Sequence, residues 1–181
     1  REAAPISNTE SPSTRVRERN SRAFSLILER ASWERQNNLE LGYDEVQSDL
    51  ESKRKMFLYK EAYAVLSPLG KDTFRNINLK KRVNHILSEL SENEVEAPAP
   101  YQEYNSTRLR ELYSSYFLTQ SPEKQNEVAD YCEEVLLEEN TSLQILKLEQ
   151  PDMARQIEIY AENDMHAAAF IALPQADRDA I

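Results

Sequence analysis

The sequence predicts an all-α fold of about seven to nine helices. Three observations carry that expectation. The 181 residues include only two glycines, Gly42 and Gly70. Hairpins and bulged strands rely on glycine at positive φ, so this scarcity disfavours a β-rich chain. The composition is instead rich in Leu, Glu, Gln, Arg and Ala, all good helix formers. Apolar residues also recur every three or four positions along most of the chain, which places them on single helical faces.

The first ten or so residues, Arg1 to Pro12, are polar and contain two prolines, and they are expected to be a disordered tail. A helix follows from about Thr14 to Gln36, with Ala23, Phe24, Ile27, Leu28 and Ala31 on one face. Asn37-Asn38 and Gly42 break it. The next helix runs from about Tyr43 to Leu66, with Val46, Leu50, Phe57, Tyr63 and Leu66 as expected core residues. The Ser67-Pro68-Leu69-Gly70 run ends it, because proline disfavours helix in the preceding residue and glycine offers a flexible stop. A third helix over about Lys71 to Leu90 shows the cleanest stripe, with Leu79, Val83, Ile86 and Leu90 at steps of four, three and four.

Residues 91–104 are acidic, contain Pro98 and Pro100, and have no period, which is the pattern of a linker. The domain organisation expected from sequence is therefore a tail over 1–12, a three-helix bundle over 13–90, the linker, and an acidic helical subdomain over 105–181.

In that second subdomain, residues 106–119 carry Leu109, Leu112, Tyr113, Tyr116 and Phe117 on one face. Ser121-Pro122 opens another helix with a capping serine and a proline in the first turn. Val128, Tyr131, Cys132 and Val135 form its apolar stripe, and a short helix over Ser142 to Leu148 comes next. Pro122, Pro151 and Pro174 each follow a leucine closely and each start a helix. Their spacings of 29 and 23 residues make an irregular period, so the expectation is short antiparallel helix pairs, loosely solenoid-like.

The net charge of −10 is unevenly divided. Residues 1–90 carry 16 Lys and Arg against 13 Asp and Glu, and residues 91–181 carry 6 against 19. The acidic half disfavours nucleic acid and anionic lipid there, and is read either as attraction for a basic protein partner or simply as a solvated acidic surface that keeps the domain soluble. The single cysteine, Cys132, permits no intramolecular disulfide and suits a cytoplasmic or otherwise reducing compartment. No run is apolar enough to span a membrane, and the N-terminus lacks the layout of a secretory signal. A chain that starts at Arg1 and stops at Ile181, in the first turns of another helix, reads as a portion of a larger multidomain protein, such as a secreted bacterial effector. The Asn-x-Ser/Thr triplets at Asn105 and Asn140 are read as chance occurrences, each falling where a helix cap would be useful.

No residue set points to catalysis. Cys132 lies beside Glu133 and Glu134, which would raise a thiol pKa rather than lower it, and only His85 and His166 could serve as a base. Glu158, Glu162 and His166 recur every four residues, one residue too long for the Glu-x-x-His spacing of di-iron bundles and without a second copy. Zinc would need more His or Cys ligands, so neither a metal nor a cofactor is expected. Glu133-Glu134 and Glu138-Glu139 are paired carboxylates that no sequence feature sets in a pocket. Basic clusters at Arg15–Arg19, Lys53–Lys55 and Lys80–Arg82 are interleaved with acidic residues, as on ordinary solvated helices. The segment from Phe57 to Leu69 resembles the late helix and loop of co-chaperone J domains. That family's activity depends on a His-Pro-Asp tripeptide, which this chain lacks.

The resulting expectation is a non-catalytic helical module for protein–protein interaction or scaffolding. Its contact residues are expected at Tyr113, Tyr116 and Phe117, with Glu103 and Glu111 beside them, because tyrosine offers a rigid apolar ring with a polar tip. Two alternatives stand beside it. One is an enzyme domain using Cys132 with a histidine. The other is a nucleic-acid or anionic-lipid binder acting through the basic first half.

Overall fold

A computed structural model describes residues 11–90 and 106–181, and the side chains of Leu90 and Ser106 are outside the description. The described chain is all-α, with eight α-helices, one π-helical turn and no strand. The helices are α1 (Pro12–Asn37), α2 (Tyr43–Val65), α3 (Pro68–Leu90), α4 (Ser106–Leu112), α5 (Pro122–Glu138), α6 (Thr141–Glu149), α7 (Pro151–Ala172) and α8 (Gln175–Ala180). The π-helical turn spans Tyr113–Phe117 and continues α4. The expected tail and the expected linker at 91–104 fall mostly or wholly outside the described residues, as does Glu103.

Helix starts follow local chemistry where serine precedes proline. The Ser11 side chain accepts the backbone N–H of Thr14, and that of Ser121 accepts the N–H of Lys124, each at 3.3 Å. Pro12 and Pro122 occupy the first turn, where a missing N–H leaves no bond broken. Asn38 ends α1 in the left-handed conformation at φ 52°, and Asn140 takes the same conformation between α5 and α6 at φ 49°. Asparagine tolerates that region better than most residues. Asn140 does not cap α6 with its side chain, although a cap would be useful there. Its amide instead donates to the Lys55 carbonyl at 3.4 Å.

Two helix starts are capped by glutamates from other elements. Glu34 of α1, buried despite its charge, accepts the backbone N–H groups of Tyr43 at 3.2 Å and Asp44 at 3.3 Å, at the head of α2. Glu149 of α6 does the same for α3. It accepts the Ser67 N–H at 3.2 Å and also the Ser67 hydroxyl, while Ser67 Oγ accepts the Gly70 N–H at 2.9 Å. Both carboxylates meet orphan donors and the positive end of a helix dipole. Gly70 is therefore no helix stop. It lies inside the first turn of α3, and a Cβ there would sit 2.3 Å from a Glu149 carboxylate oxygen.

The chain forms two compact units, which divide it differently from the sequence-based boundary at 91–104. One contains the described residues up to Arg54 together with Glu158–Ile181, and the other is Lys55–Ile157. The chain passes between them inside α2 and again inside α7.

The first unit is built on Ala23 and Ile27 of α1, Leu50 of α2, and Ala169 and Leu173 from the C-terminal part of the chain. Its rim carries Arg19 over the Phe170 ring at 4.0 Å and His166 against Phe24 at 4.9 Å. Arg30 donates to the Tyr43 hydroxyl at 2.6 Å and grips Asp177 with both terminal guanidinium nitrogens.

In the second unit α3 is central and touches α4, the π-helical turn, α5 and α6. Ile86, Phe117, Val128 and Cys132 form a buried cluster there, with Tyr113 packed against it.

Candidate functional site

The second unit contains an open groove of about 570 Å³ between the later turns of α2 and α5. Met56 and Tyr59 line it from α2, and Asp130, Glu133, Glu134 and Leu137 line it from α5. Helical periodicity makes the α5 wall. Val128, Cys132 and Leu136 are buried in the core, and residues 130, 133, 134 and 137 fall on the opposite side at i, i+3, i+4 and i+7.

The α2 wall is fixed through its backbone. The Ser142 hydroxyl, fully buried, donates to the Tyr59 carbonyl at 2.7 Å. Beside the groove, Lys55 pairs with Glu138 at 2.9 Å.

The electrostatics of α5 distinguish the groove from its surroundings. Glu127 pairs with Lys124, Glu138 with Lys55, and Glu139, which follows the helix, with Lys81. Asp130, Glu133 and Glu134 form no ion pair with any described residue, and all three are exposed. Uncompensated carboxylates thus concentrate along the groove. Burial pushes the Tyr59 phenol pKa upward, and the negative charge of Glu133 adds to the shift. Tyr59 therefore stays a neutral hydroxyl at physiological pH. The site combines negative charge with the apolar surfaces of Met56 and Leu137 and one neutral phenol. A lysine or arginine needs that combination, because its stem is apolar and its head cationic.

The expected contact residues are dispersed in character. Phe117 is buried in the core cluster, and Tyr113 stacks on it at 4.4 Å between ring centres. Tyr116 is 38% exposed and Glu111 is also exposed. The π-helical turn separates these environments, because it breaks the 3.6-residue spacing on which a single face was expected.

Cys132 is fully buried, and burial pushes its thiol pKa up to about 11, only partly opposed by Arg82 and Lys81. A neutral, inaccessible thiol is a poor nucleophile. Of the two histidines, His85 stacks on Tyr131 at 4.1 Å and lies 3.3 Å from Glu89, while His166 packs on Phe24. Among the described residues no group of three or more His, Cys, Asp or Glu is arranged to hold a metal ion. No described helix is long and apolar enough to cross a membrane.

Sequence reasoning noted Glu133-Glu134 but missed the groove. The legible part was the acidic row 130/133/134, opposite the apolar stripe of the same helix. That Met56 and Tyr59 face it depends on how α2 packs. In comparisons with known proteins, no family model, no curated protein and no solved structure matches the chain.

Proposed function

We propose that this chain is a non-catalytic protein-interaction module whose α2–α5 groove receives a basic segment of a partner protein. The observation that carries this reading is the split among the α5 carboxylates. Glu127 and Glu138 on the helix and Glu139 just after it are each paired with a lysine, whereas the three that line the groove are not; outside the groove only Glu123, in the first turn, shares that state among the described residues of α5. A partner lysine or arginine would lay its aliphatic stem on Met56 and Leu137 and set its charge among Asp130, Glu133 and Glu134. The exposed Tyr116 and Glu111 are candidates for further contact.

The test is fluorescence anisotropy with a labelled lysine- and leucine-containing helical peptide as probe. The triple variant D130K/E133K/E134K should weaken binding by about tenfold or more, since like charges across an interface cost several kcal/mol. A control, E123K/E162K/D164K, changes exposed residues elsewhere and makes the same change in net charge. Equal loss of binding in both variants would show that only overall acidity attracts the peptide, and the groove assignment would fall.

A further inference from the structure

Three basic clusters stand in the sequence, and the fold treats them differently. In the second, Lys53 pairs with Asp49 at 2.8 Å and Lys55 with Glu138 at 2.9 Å, and the half-buried Arg54 alone forms no ion pair with a described residue. In the third, Lys80 is buried, Lys81 pairs with Glu139 at 2.9 Å, and Arg82 lies 5.7 Å from the centre of the Phe117 ring. The first cluster, at the start of α1, keeps its charge. Arg15, Arg17 and Arg22 are exposed, and none forms an ion pair with a described residue. Val16 beside them is 42% exposed. Arg19 is engaged over Phe170 and with Asn20, and Glu18 is the one acidic residue in the stretch, so residues 15–22 carry a net charge of +3.

The two unsatisfied features complement one another. Arg15 and Arg22 are seven residues apart on one side of α1, a separation of about 10 Å along the helix. Asp130 and Leu137 span the same seven residues on α5, with Glu133 and Glu134 between them. That side of α1 supplies Arg15 and Arg22 with Glu18 between them, while Val16 and Arg17 face Asn163 and His166 of α7; the groove supplies carboxylates, a methionine and a leucine.

We propose that the occupant of the α2–α5 groove is the basic start of α1, residues 15–22, from a second copy of this chain. The proposal rests on the reading of the groove as a docking site for a basic segment and names that segment. If each copy fills the other's groove, the assembly closes as a two-fold dimer; otherwise it continues head to tail. In either form the contact is salt-sensitive, because exposed charges are screened over about 3 Å at an ionic strength of about 1 M.

Sedimentation velocity on the full chain over a range of concentrations tests this. At low ionic strength the apparent mass should rise with concentration above the 21.0 kDa of one chain and return to it in concentrated salt. R15E/R17E/R22E and D130K/E133K/E134K should each stay monomeric with unchanged helical circular dichroism. An equimolar mixture of the two should associate again, because an acidic α1 then meets a basic groove and a basic α1 meets an acidic one. A wild-type chain that stays monomeric at low salt would overturn the proposal. So would association that survives either charge reversal, or a mixture that fails to restore it. The labelled peptide separates the two levels of inference. Groove-dependent peptide binding by a monomeric chain would keep the docking site and reject the second copy as its occupant. Peptide binding indifferent to D130K/E133K/E134K would reject the site itself.

Discussion

Gly70 shows how one missing side chain can be decided by a partner far away in sequence. Its backbone is helical, so alanine would ordinarily be favoured there by about 0.5–1 kcal/mol. A Cβ would instead strike the Glu149 carboxylate, which holds the head of α3 through Ser67. The carboxylate ends a flexible side chain and can swing away, but it loses its capping bonds in doing so. The lost cap, worth about 1 kcal/mol, offsets alanine's helical advantage, so Gly70→Ala should be neutral to slightly destabilising, by about 0.5 kcal/mol at most. In a Glu149→Ala background the same change should become stabilising. Urea denaturation of the four proteins of this cycle reads the sign directly, and a destabilising Gly70→Ala in both backgrounds would contradict the account.

Cys132 gives a prediction of the same scale. Its folded-state pKa, raised from 9.0 to about 11, means that the native state retains the proton that the unfolded chain releases. The associated stability is complete below about pH 9 and is lost as pH rises toward about 11, at about 1.4 kcal/mol per pH unit at most. Denaturation midpoints of wild type should fall across that range more steeply than those of Cys132→Ala. Thiol reagents should label the native protein only at the rate of its opening.

At the scale of elements, α8 is the test case. Six residues cannot sustain a helix in water by local bonds alone. It is joined to the first unit by the Arg30–Asp177 pair, with Leu173 and Ile181 packed on the same core. The guanidinium holds the Asp177 carboxyl below its ordinary pKa, so this contribution is present at neutral pH and lost as pH falls through that lowered value. Asp177→Asn should speed amide exchange over residues 175–180 while leaving the global unfolding midpoint nearly unchanged, as expected of a partly exposed pair. A large fall in the midpoint would instead make α8 part of the global folding unit.

The π-helical turn at Tyr113–Phe117 teaches the complementary lesson for sequence reading. A periodic pattern of aromatics suggested one continuous face over 106–119. The extra residue per turn rotates that face, so Phe117 enters the core and Tyr116 is left exposed.

At the scale of the molecule, the division into units carries the strongest consequence. Residues 13–90 look like a self-contained bundle in sequence, yet Ala23, Ile27 and Leu50 share their cluster with Ala169 and Leu173. A fragment of residues 11–90 lacks those partners and leaves that apolar surface in water. It should bind a hydrophobic dye and unfold without a sharp transition, measured by calorimetry against the full chain. A cooperative transition in the isolated fragment would restore the 13–90 boundary.

The sequence by itself determined the helical class, most helix starts and the charge asymmetry. These are local or additive properties: glycine scarcity, serine–proline caps and 3.6-residue periodicity each act within a few residues, and net charge needs no geometry. It also displayed the acidic row of α5, as a pattern without an address. Only the tertiary structure decided that Glu34 and Glu149 cap helices from a distance, that Gly70 makes room for a carboxylate, and that Lys55 and Lys81 neutralise the flanking glutamates while Asp130, Glu133 and Glu134 are left uncompensated beside Met56 and Tyr59. Each of these joins residues from different helices. Their separation in space is set by which apolar stripes pack together, and periodicity fixes the stripe on each helix without naming its partner.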